Sequence, residues 1–294
     1  IKPLIASLVG GKLSAIAQEH ATTVLSGLAP IGRNAYAIKE AKGIDPLVLL
    51  LSTGNADAKA NAAGTLAQMA LRAEAALEIA QAGAVSAFVR WLDDPTQGPP
   101  EVAARALSEI ALDNYDTQAQ IAEEGAISPL VAMVTNTIDG PVAANNAAAN
   151  KAAAAALKSS NVAAGALATL AKDNMVNQLI ITEDGAIQPL VDLLKNKTSA
   201  HKADSYVNPT KALWHLAATA DNQATIAQAG GIEPLVSLLT SQSELTKQYA
   251  AAALEFLVHD HAAAQDVAKA GAIAPLIELL GSDSDQTQEH AKGA

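Results

Sequence analysis

Few residues in this 294-residue sequence have the types and spacing that metal or phosphate chemistry requires. His259, Asp260, His261 and Asp266 carry suitable ligand atoms, but their spacing matches no standard helical metal site. The segment GGKLS at 10–14 imitates part of a phosphate-binding loop, yet it lacks the Lys-Ser/Thr pair and a preceding strand. We therefore expect neither a metal nor another cofactor at these positions.

Signatures of nucleophilic catalysis are missing as well. No elbow motif suggests a Ser-His-Asp set. The segment SDSDQTQE at 282–289 lacks the central glycine of a calcium loop. The absence of cysteine excludes disulfides and cysteine-ligated zinc, and it fits an intracellular, cytoplasmic protein. We predict a protein that is not an enzyme.

Charge and hydropathy exclude further classes of partner. The chain has 30 acidic and 19 basic residues, a formal charge of −11, which argues against binding nucleic acid or anionic membranes. No apolar run approaches the 18 residues or more of a membrane-spanning helix, so we expect no direct membrane insertion. Half of the residues are apolar but only 3% are aromatic, and much of the apolar half is alanine. Closely packed helices suit that composition, and alternating β-type patterns are nearly absent, so the sequence predicts an all-α fold.

One short pattern recurs along the chain and organises these helices. It reads EEGAISPL at 123–130, QAGGIEPL at 228–235 and KAGAIAPL at 269–276. The glycine suits a left-handed helix C-terminus, and the proline suits the first turn of the next helix. The proline falls at Pro3, Pro46, Pro129, Pro189, Pro234 and Pro275, and a copy with Ala87 in its place lies between the second and third of these. Most steps are close to 42 residues, a period typical of helical solenoids.

Each repeat of this pattern contains a short first helix, a second helix after the glycine, and a longer third helix. One position of the third helix always carries leucine: Leu66, Leu107, Leu167, Leu213 and Leu254. The residues three positions later lie on the same face and are also apolar: Met69, Ile110, Leu170, Leu216 and Leu257. These apolar stripes predict a core that is shared between neighbouring repeats.

The glycine hinge, the [AG]-[IV]-x-P-L-[VI] pattern and the long A-x-x-A-L helix resemble the armadillo repeat family over the whole chain. HEAT repeats are the nearest alternative, but they lack the regular short first helix. The resemblance implies a right-handed α-α superhelix of about seven repeats, the first and last incomplete. Neither end carries the polar capping repeat that a free solenoid needs, so we expect continuity with further repeats or a larger assembly. We expect a single solenoid over 1–294 with repeats at 1–32, 33–72, 73–113, 114–173, 174–221, 222–261 and 262–294.

In armadillo proteins the third helices line a concave groove, and importin-α and its relatives carry ladders of Asn and Trp there. Both ladders are missing here, so the resemblance does not imply recognition of basic import peptides. A long basic groove of the β-catenin kind is also unsupported. The groove candidates, of which the two aromatic residues Tyr249 and Phe256 are the stronger, are Asn61, Gln68, Arg105, Glu109, Lys211, His215, Tyr249 and Phe256. The alternative for each is an ordinary solvated side chain.

Two neighbouring repeats contain insertions, at 136–161 and 195–206. Each insertion either forms part of a binding edge or reflects sequence drift in a loop that tolerates added residues. Lys195, Lys197 and Lys202, together with Lys211, form a local basic edge that suits an acidic partner segment; plain solubilising lysines are the alternative.

Trp214 occupies a position where the other repeats carry small or polar residues. Burial of its large apolar indole surface would be favourable there, so we expect another segment to pack on it. We predict that residues 141–158 form an extra helix, or a lengthened third helix, that shields Trp214. The alternatives are that Trp214 packs against the following repeat or anchors a partner.

The sequence therefore predicts a non-catalytic scaffold or adaptor that binds extended or helical segments of other proteins on its concave surface. The alternative is a regulatory or structural solenoid of a larger protein, which either controls a flanking domain or forms part of a cytoskeletal or ciliary assembly.

Overall fold

The computed structural model describes residues 1–8, 14–136, 147–196 and 203–294, and within these ranges it contains twenty α-helices and no strand. The all-α prediction is confirmed. The chain forms two compact units, Ile1–Pro129 and Leu130–Ala294. Within the described residues, no helix is both long and apolar enough to span a membrane.

The first unit contains nine complete helices and the start of a tenth within its described residues. In chain order they are α1 (Lys2–Leu8), α2 (Ala15–Leu28), α3 (Gly32–Glu40), α4 (Ile44–Thr53), α5 (Ala56–Ala73), α6 (Ala76–Gln81), α7 (Ala84–Asp93), α8 (Pro100–Ala111), α9 (Tyr115–Glu123) and α10 (Ile127–Thr135). The long helices α2, α5 and α8 are third helices, and α5 packs against both of the others.

The second unit contains the end of α10 and ten further helices in its described part. They are α11 (Ala147–Ala171), α12 (Met175–Glu183), α13 (Ile187–Lys195), α14 (Val207–Ala217), α15 (Ala220–Gln228), α16 (Ile232–Leu238), α17 (Glu244–Leu257), α18 (His261–Lys269), α19 (Ile273–Leu279) and α20 (Asp285–Gly293). Here the third helices are α11, α14, α17 and α20. They pack in that order, α11 on α14, α14 on α17 and α17 on α20.

The predicted leucine stripe of the third helices forms the core. The leucine position is fully buried in every copy: Leu66, Leu107, Leu167, Leu213 and Leu254. The residues three positions later are buried as well: Met69, Ile110, Leu170, Leu216 and Leu257. Alanines on the same helices, such as Ala250 and Ala251, are also fully buried, and small side chains allow helix axes to approach closely. The stripes therefore pack the third helices side by side, as the sequence predicts.

The recurring glycine closes the first helix in the left-handed conformation. Gly125 and Gly271 both have φ of +84°, as predicted, and Gly83, Gly185 and Gly230 share this conformation. At Gly125 and Gly271 an added Cβ would meet nothing within 4 Å. The requirement for glycine there is therefore conformational and not steric.

We expect Gly125→Ala to lower the free energy of unfolding by about 1–2 kcal/mol, because alanine is strained at positive φ. Chemical denaturation followed by circular dichroism measures the loss. Gly27→Ala is the matched control: Gly27 lies inside α2, has no positive φ, and has nothing within 4 Å of an added Cβ. Alanine favours a helix interior, so this variant should be neutral or stabilised; equal losses in both variants would contradict the argument.

Polar residues in the first helices bond the carbonyl ends of the preceding third helices. Asn177 Nδ2 donates to the Leu170 carbonyl at 3.0 Å, and Gln178 Nε2 donates to the Ala171 carbonyl at 2.9 Å. In the next repeat Asn222 and Gln223 make the same two bonds, to Leu216 and Ala217, at 3.0 and 3.1 Å. The last carbonyls of a helix have no partner within the helix, so these amides satisfy groups that would otherwise be buried without one.

The insertion at 136–161 contributes to a lengthened third helix. Residues 137–146 lie outside the described ranges, but α11 begins at Ala147 and continues to Ala171, a helix of 25 residues. Leu157 is buried, and the Ser160 hydroxyl donates to the Met133 carbonyl at 2.7 Å, so this extension is joined to α10.

Candidate functional site

The third helices of the second unit bring three rings together. Trp214 of α14 and Tyr249 of α17 are nearly parallel, with ring centroids 5.4 Å apart and planes inclined by 16°. His290 of α20 meets Trp214 edge to face at 5.7 Å. All three side chains are partly exposed. We call Trp214, Tyr249 and His290 the aromatic cluster.

The surroundings of Trp214 bear on two of the sequence-based predictions. Its described ring partners outside α14 belong to α17 and α20, which follow it along the chain. The structure therefore shows Trp214 packed against the following repeat, and the alternative that it anchors a partner stays a prediction. Trp214 also remains partly exposed, so the lengthened α11 does not seal it from solvent.

His290 is held in place by a carboxylate. Its Nδ1 lies 2.6 Å from Glu255 Oε2 of α17. This contact engages Glu255, the acidic group on the α17 side of the cluster. It also restrains the orientation of the imidazole ring beside Trp214.

His215 corrects the sequence-based site, because the structure buries a residue that was predicted to line the groove. It is only 6% exposed, and its ring stacks against Trp214 with centroids 4.3 Å apart. Nε2 has no hydrogen-bond partner among the described residues. Burial, aided by the positive charges of Lys211 and Lys172, lowers the pKa of His215 from 6.5 to about 3. At neutral pH the imidazole is therefore uncharged.

Cations lie beside the aromatic cluster on the α11 and α14 side. Lys211, Trp214 and His215 share one face of α14, because they are separated by three and four residues. Lys172 directly follows α11, which packs on α14. Its charge also acts on Tyr249. Burial raises the pKa of Tyr249, and the positive charge of Lys172 offsets only part of that increase.

Phe256, the second aromatic candidate, is partly exposed on α17. Its ring lies 6.4 Å from that of His259, so it belongs to a separate contact at the end of this helix.

The candidates of the first unit interact with their own neighbours. Asn61 Nδ2 donates to the Thr23 hydroxyl at 2.9 Å, which links α5 to α2. Arg105 and Glu109 of α8 form an ion pair one turn apart, with Nε and Oε1 separated by 3.0 Å. Gln68 is partly exposed. These side chains offer polar contacts, but the opposite charges of Arg105 and Glu109 largely neutralise each other.

Two lysines of the predicted basic edge, Lys195 and Lys211, lie in the described residues. Lys195 Nζ donates to the Ala229 carbonyl at 2.7 Å, near the end of α15, and lies 3.8 Å from Asp192. A lysine at a helix C-terminus interacts favourably with the terminal carbonyls, so Lys195 has a structural role there. Lys197 and Lys202 lie outside the described residues.

Two features were missed by reasoning from the sequence. His290 joins the aromatic cluster although it lies far from Trp214 in the chain, and no local pattern indicates that contact. In the first unit, the Trp91 indole N–H is buried without a partner in the described ranges. It borders a shallow pocket of about 320 Å³, which Arg90, Asp93 and Asp94 also line. The pocket holds none of the predicted site residues.

Comparisons with known proteins identify this architecture. Residues 219–255 match the family model described as armadillo/beta-catenin-like repeat. A designed armadillo repeat protein, YIII(Dq)4CqI, is 26% identical with a TM-score of 0.70, over 85% of this chain and 97% of its own. Computationally designed armadillo repeat proteins for modular peptide recognition are 26% identical with a TM-score of 0.67, over the same shares. A designed armadillo repeat protein in complex with the peptide (KR)4 shares the fold at 24% identity and a TM-score of 0.67, over 85% of this chain and 97% of its own. The comparison with curated proteins finds no match.

Proposed function

Since this chain is an armadillo repeat protein, we propose that it is a non-catalytic scaffold or adaptor that binds segments of other proteins on its third-helix face. The observation that carries the proposal is the aromatic cluster on α14, α17 and α20. Aromatic side chains that remain partly exposed and rigidly stacked are typical of binding hot spots. A related design, at 26% identity, serves modular peptide recognition, which supports the same use of this surface.

The geometry of the cluster suits an extended segment. The rings come from three adjacent third helices, so a ligand that contacts all of them crosses the helices and does not follow one of them. The Trp214 and Tyr249 rings are stacked and supported by buried neighbours, so little side-chain entropy is lost on binding. Apolar or aromatic side chains of the partner would bury further ring surface there, at about 25 cal/mol per Å².

The test is a selection of binding peptides from a displayed random-peptide library on the immobilised full chain. We expect Trp214→Ala to weaken the selected peptides about tenfold or more, because truncation removes the central ring. Affinities are measured by fluorescence anisotropy, and circular dichroism confirms that the variant is folded.

The matched control is Tyr115→Ala, which removes an exposed aromatic ring from the first helix α9. It should change the affinity by less than about twofold. Peptides that bind Trp214→Ala as tightly as the original chain would overturn the proposal.

The second candidate function is the regulatory or structural one. It is favoured by Met175, Val176 and Leu179, three apolar side chains of α12 that are each more than half exposed. Adjacent exposed apolar residues are typical of protein interfaces, including those with a flanking domain. Binding that is lost in Leu179→Asp but retained in Trp214→Ala would favour this candidate.

A further inference from the structure

We propose that the exposed face of α12 binds a basic amphipathic helix of a partner protein, which lays apolar side chains on Met175, Val176 and Leu179. We call these three residues the α12 patch. They lie on a first helix, whereas the aromatic cluster lies on third helices. The inference rests on the second candidate function and names the chemistry of its partner.

The first argument is that the repeat itself does not require large apolar side chains at the α12 patch. Its three residues are between 54 and 73% exposed. Val176 and Leu179 stand where the first helix α15 carries Asp221 and Ala224. A partner that covers the α12 patch would remove apolar surface from water, and exposed apolar residues that adjoin one another are typical of interfaces.

The second argument is the direction of the α12 patch, which favours a helical partner. Met175, Leu179 and Glu183 follow one another at intervals of four residues, so they form a line along one side of α12. An extended segment on this line would set its own N–H and C=O groups against apolar side chains. A helix satisfies those groups internally, and its rows of side chains fit between those of α12.

The third argument is the charge at the border of the α12 patch. Glu183 continues the line of the patch, and Asp221 lies in the first turn of α15. The Thr219 hydroxyl, at the start of α15, donates to Gln178 Oε1 of α12 at 2.6 Å, which joins the two helices. Glu183 and Asp221 are exposed, and neither is paired with a cation among the described residues.

The N-terminal side of α12 adds a further carboxylate. Asp173 lies two residues before α12 and is exposed. The charge of the preceding Lys172 acts on His215 and Tyr249, which belong to third helices. A partner helix with Lys or Arg beside its apolar face therefore meets carboxylates near both ends of α12, and an acidic helix would be repelled.

The experiment uses the full chain and two synthetic helices of about 18 residues, or five turns, with leucine along one face. One helix carries lysine at its remaining positions and the other carries glutamate. Fluorescence anisotropy measures both affinities. We expect the lysine helix to bind about tenfold tighter or more, and added salt should weaken its binding.

Leu179→Asp distinguishes the α12 patch from the net charge of the chain. We expect this variant to weaken binding of the lysine helix about tenfold, although it adds a negative charge to a chain whose formal charge is already −11. Attraction by net charge alone would strengthen the binding instead. Glu183→Gln should weaken it about threefold, because one border carboxylate is lost.

Leu77→Asp is the matched control. Leu77 holds the equivalent position in the first helix α6 and is 45% exposed, so the same substitution is made outside the α12 patch. This variant and Trp214→Ala should each leave the affinity for the lysine helix within about twofold. Circular dichroism and thermal unfolding establish that every variant is folded.

The outcomes separate this inference from the functions proposed above. Equal binding of the two helices, or binding of the lysine helix that Leu179→Asp leaves unchanged or strengthens, would overturn the inference. Failure of the lysine helix to bind, together with loss of another ligand in Leu179→Asp, would overturn it and leave the second candidate function standing. The scaffold function is tested independently, by the selected peptides and Trp214→Ala.

Discussion

Ile232→Ala is expected to lower the free energy of unfolding by about 2–5 kcal/mol, whereas Ile273→Ala should change it by less than about 0.5 kcal/mol. The two residues hold the same place in the recurring I-x-P-L pattern, so the chemical change is identical. Ile232 is 6% exposed in α16, which packs on α13, α17 and α18. Ile273 is 61% exposed in α19. Only the buried residue loses both its transfer free energy and its packing contacts.

The comparison extends along both helices. Ile277 and Leu280 are exposed like Ile273, while the equivalent Val236 and Leu239 are buried like Ile232. Urea denaturation of the two alanine variants measures the difference, and hydrogen exchange shows whether the loss is confined to the helices around α16. Equal destabilisation at both sites would show that Ile273 is covered in solution.

The second large effect is a loss of stability in mild acid that depends on His215. Its pKa is about 3 in the folded chain, against an ordinary value of 6.5. Above pH 6.5 both states are mainly neutral at this residue and it contributes no pH dependence. As the pH falls below 6.5 the unfolded chain binds a proton that the folded chain does not, so stability decreases until the pH reaches the folded pKa. Between pH 8 and pH 5 we expect the loss to be about 2 kcal/mol.

The variant His215→Phe isolates this contribution, since phenylalanine does not titrate and α17 carries Phe256 at the equivalent position. The free energy of unfolding of both chains is measured by denaturation at pH 8 and at pH 5. The loss of about 2 kcal/mol that is assigned to His215 should appear in the original chain and not in the variant. His261→Gln is the control variant, because it replaces a histidine that is exposed on α18. The hydrogen bond from Lys247 lowers the pKa of the Glu244 carboxyl, so this group favours its ionised form. The same pH dependence in the original chain and in His215→Phe would contradict the burial of a neutral imidazole.

The repeat architecture could be predicted because its determinants are local and recur. The left-handed glycine and the early helical proline act within a few residues, as Gly125 and Pro129 illustrate. The leucine stripe follows from helical periodicity, and each predicted leucine is buried. Copies that agree with one another strengthen every individual assignment, which is why the first, second and third helices could be told apart from the sequence.

The candidate site could be predicted only in part. Positions on the third helices follow from the same periodicity, so counting residues predicts the helix face on which Lys211 and Tyr249 lie. Counting does not reveal whether a side chain is displayed or covered. His215 lies at a groove position, yet the ring of the adjacent Trp214 stacks on it and the residue is buried.

The sequence by itself determined the all-α fold, the repeat period, the glycine corners and the core stripe, because each depends on backbone conformation or on periodicity within one helix. The tertiary structure alone decided which side chains from different repeats meet. Trp214, Tyr249 and His290 come together because α14, α17 and α20 pack side by side, and the pairing of Glu255 with His290 depends on the same packing. Such contacts arise between residues that are distant in the chain, where side-chain size and orientation at each helix interface decide the outcome and no local pattern records it.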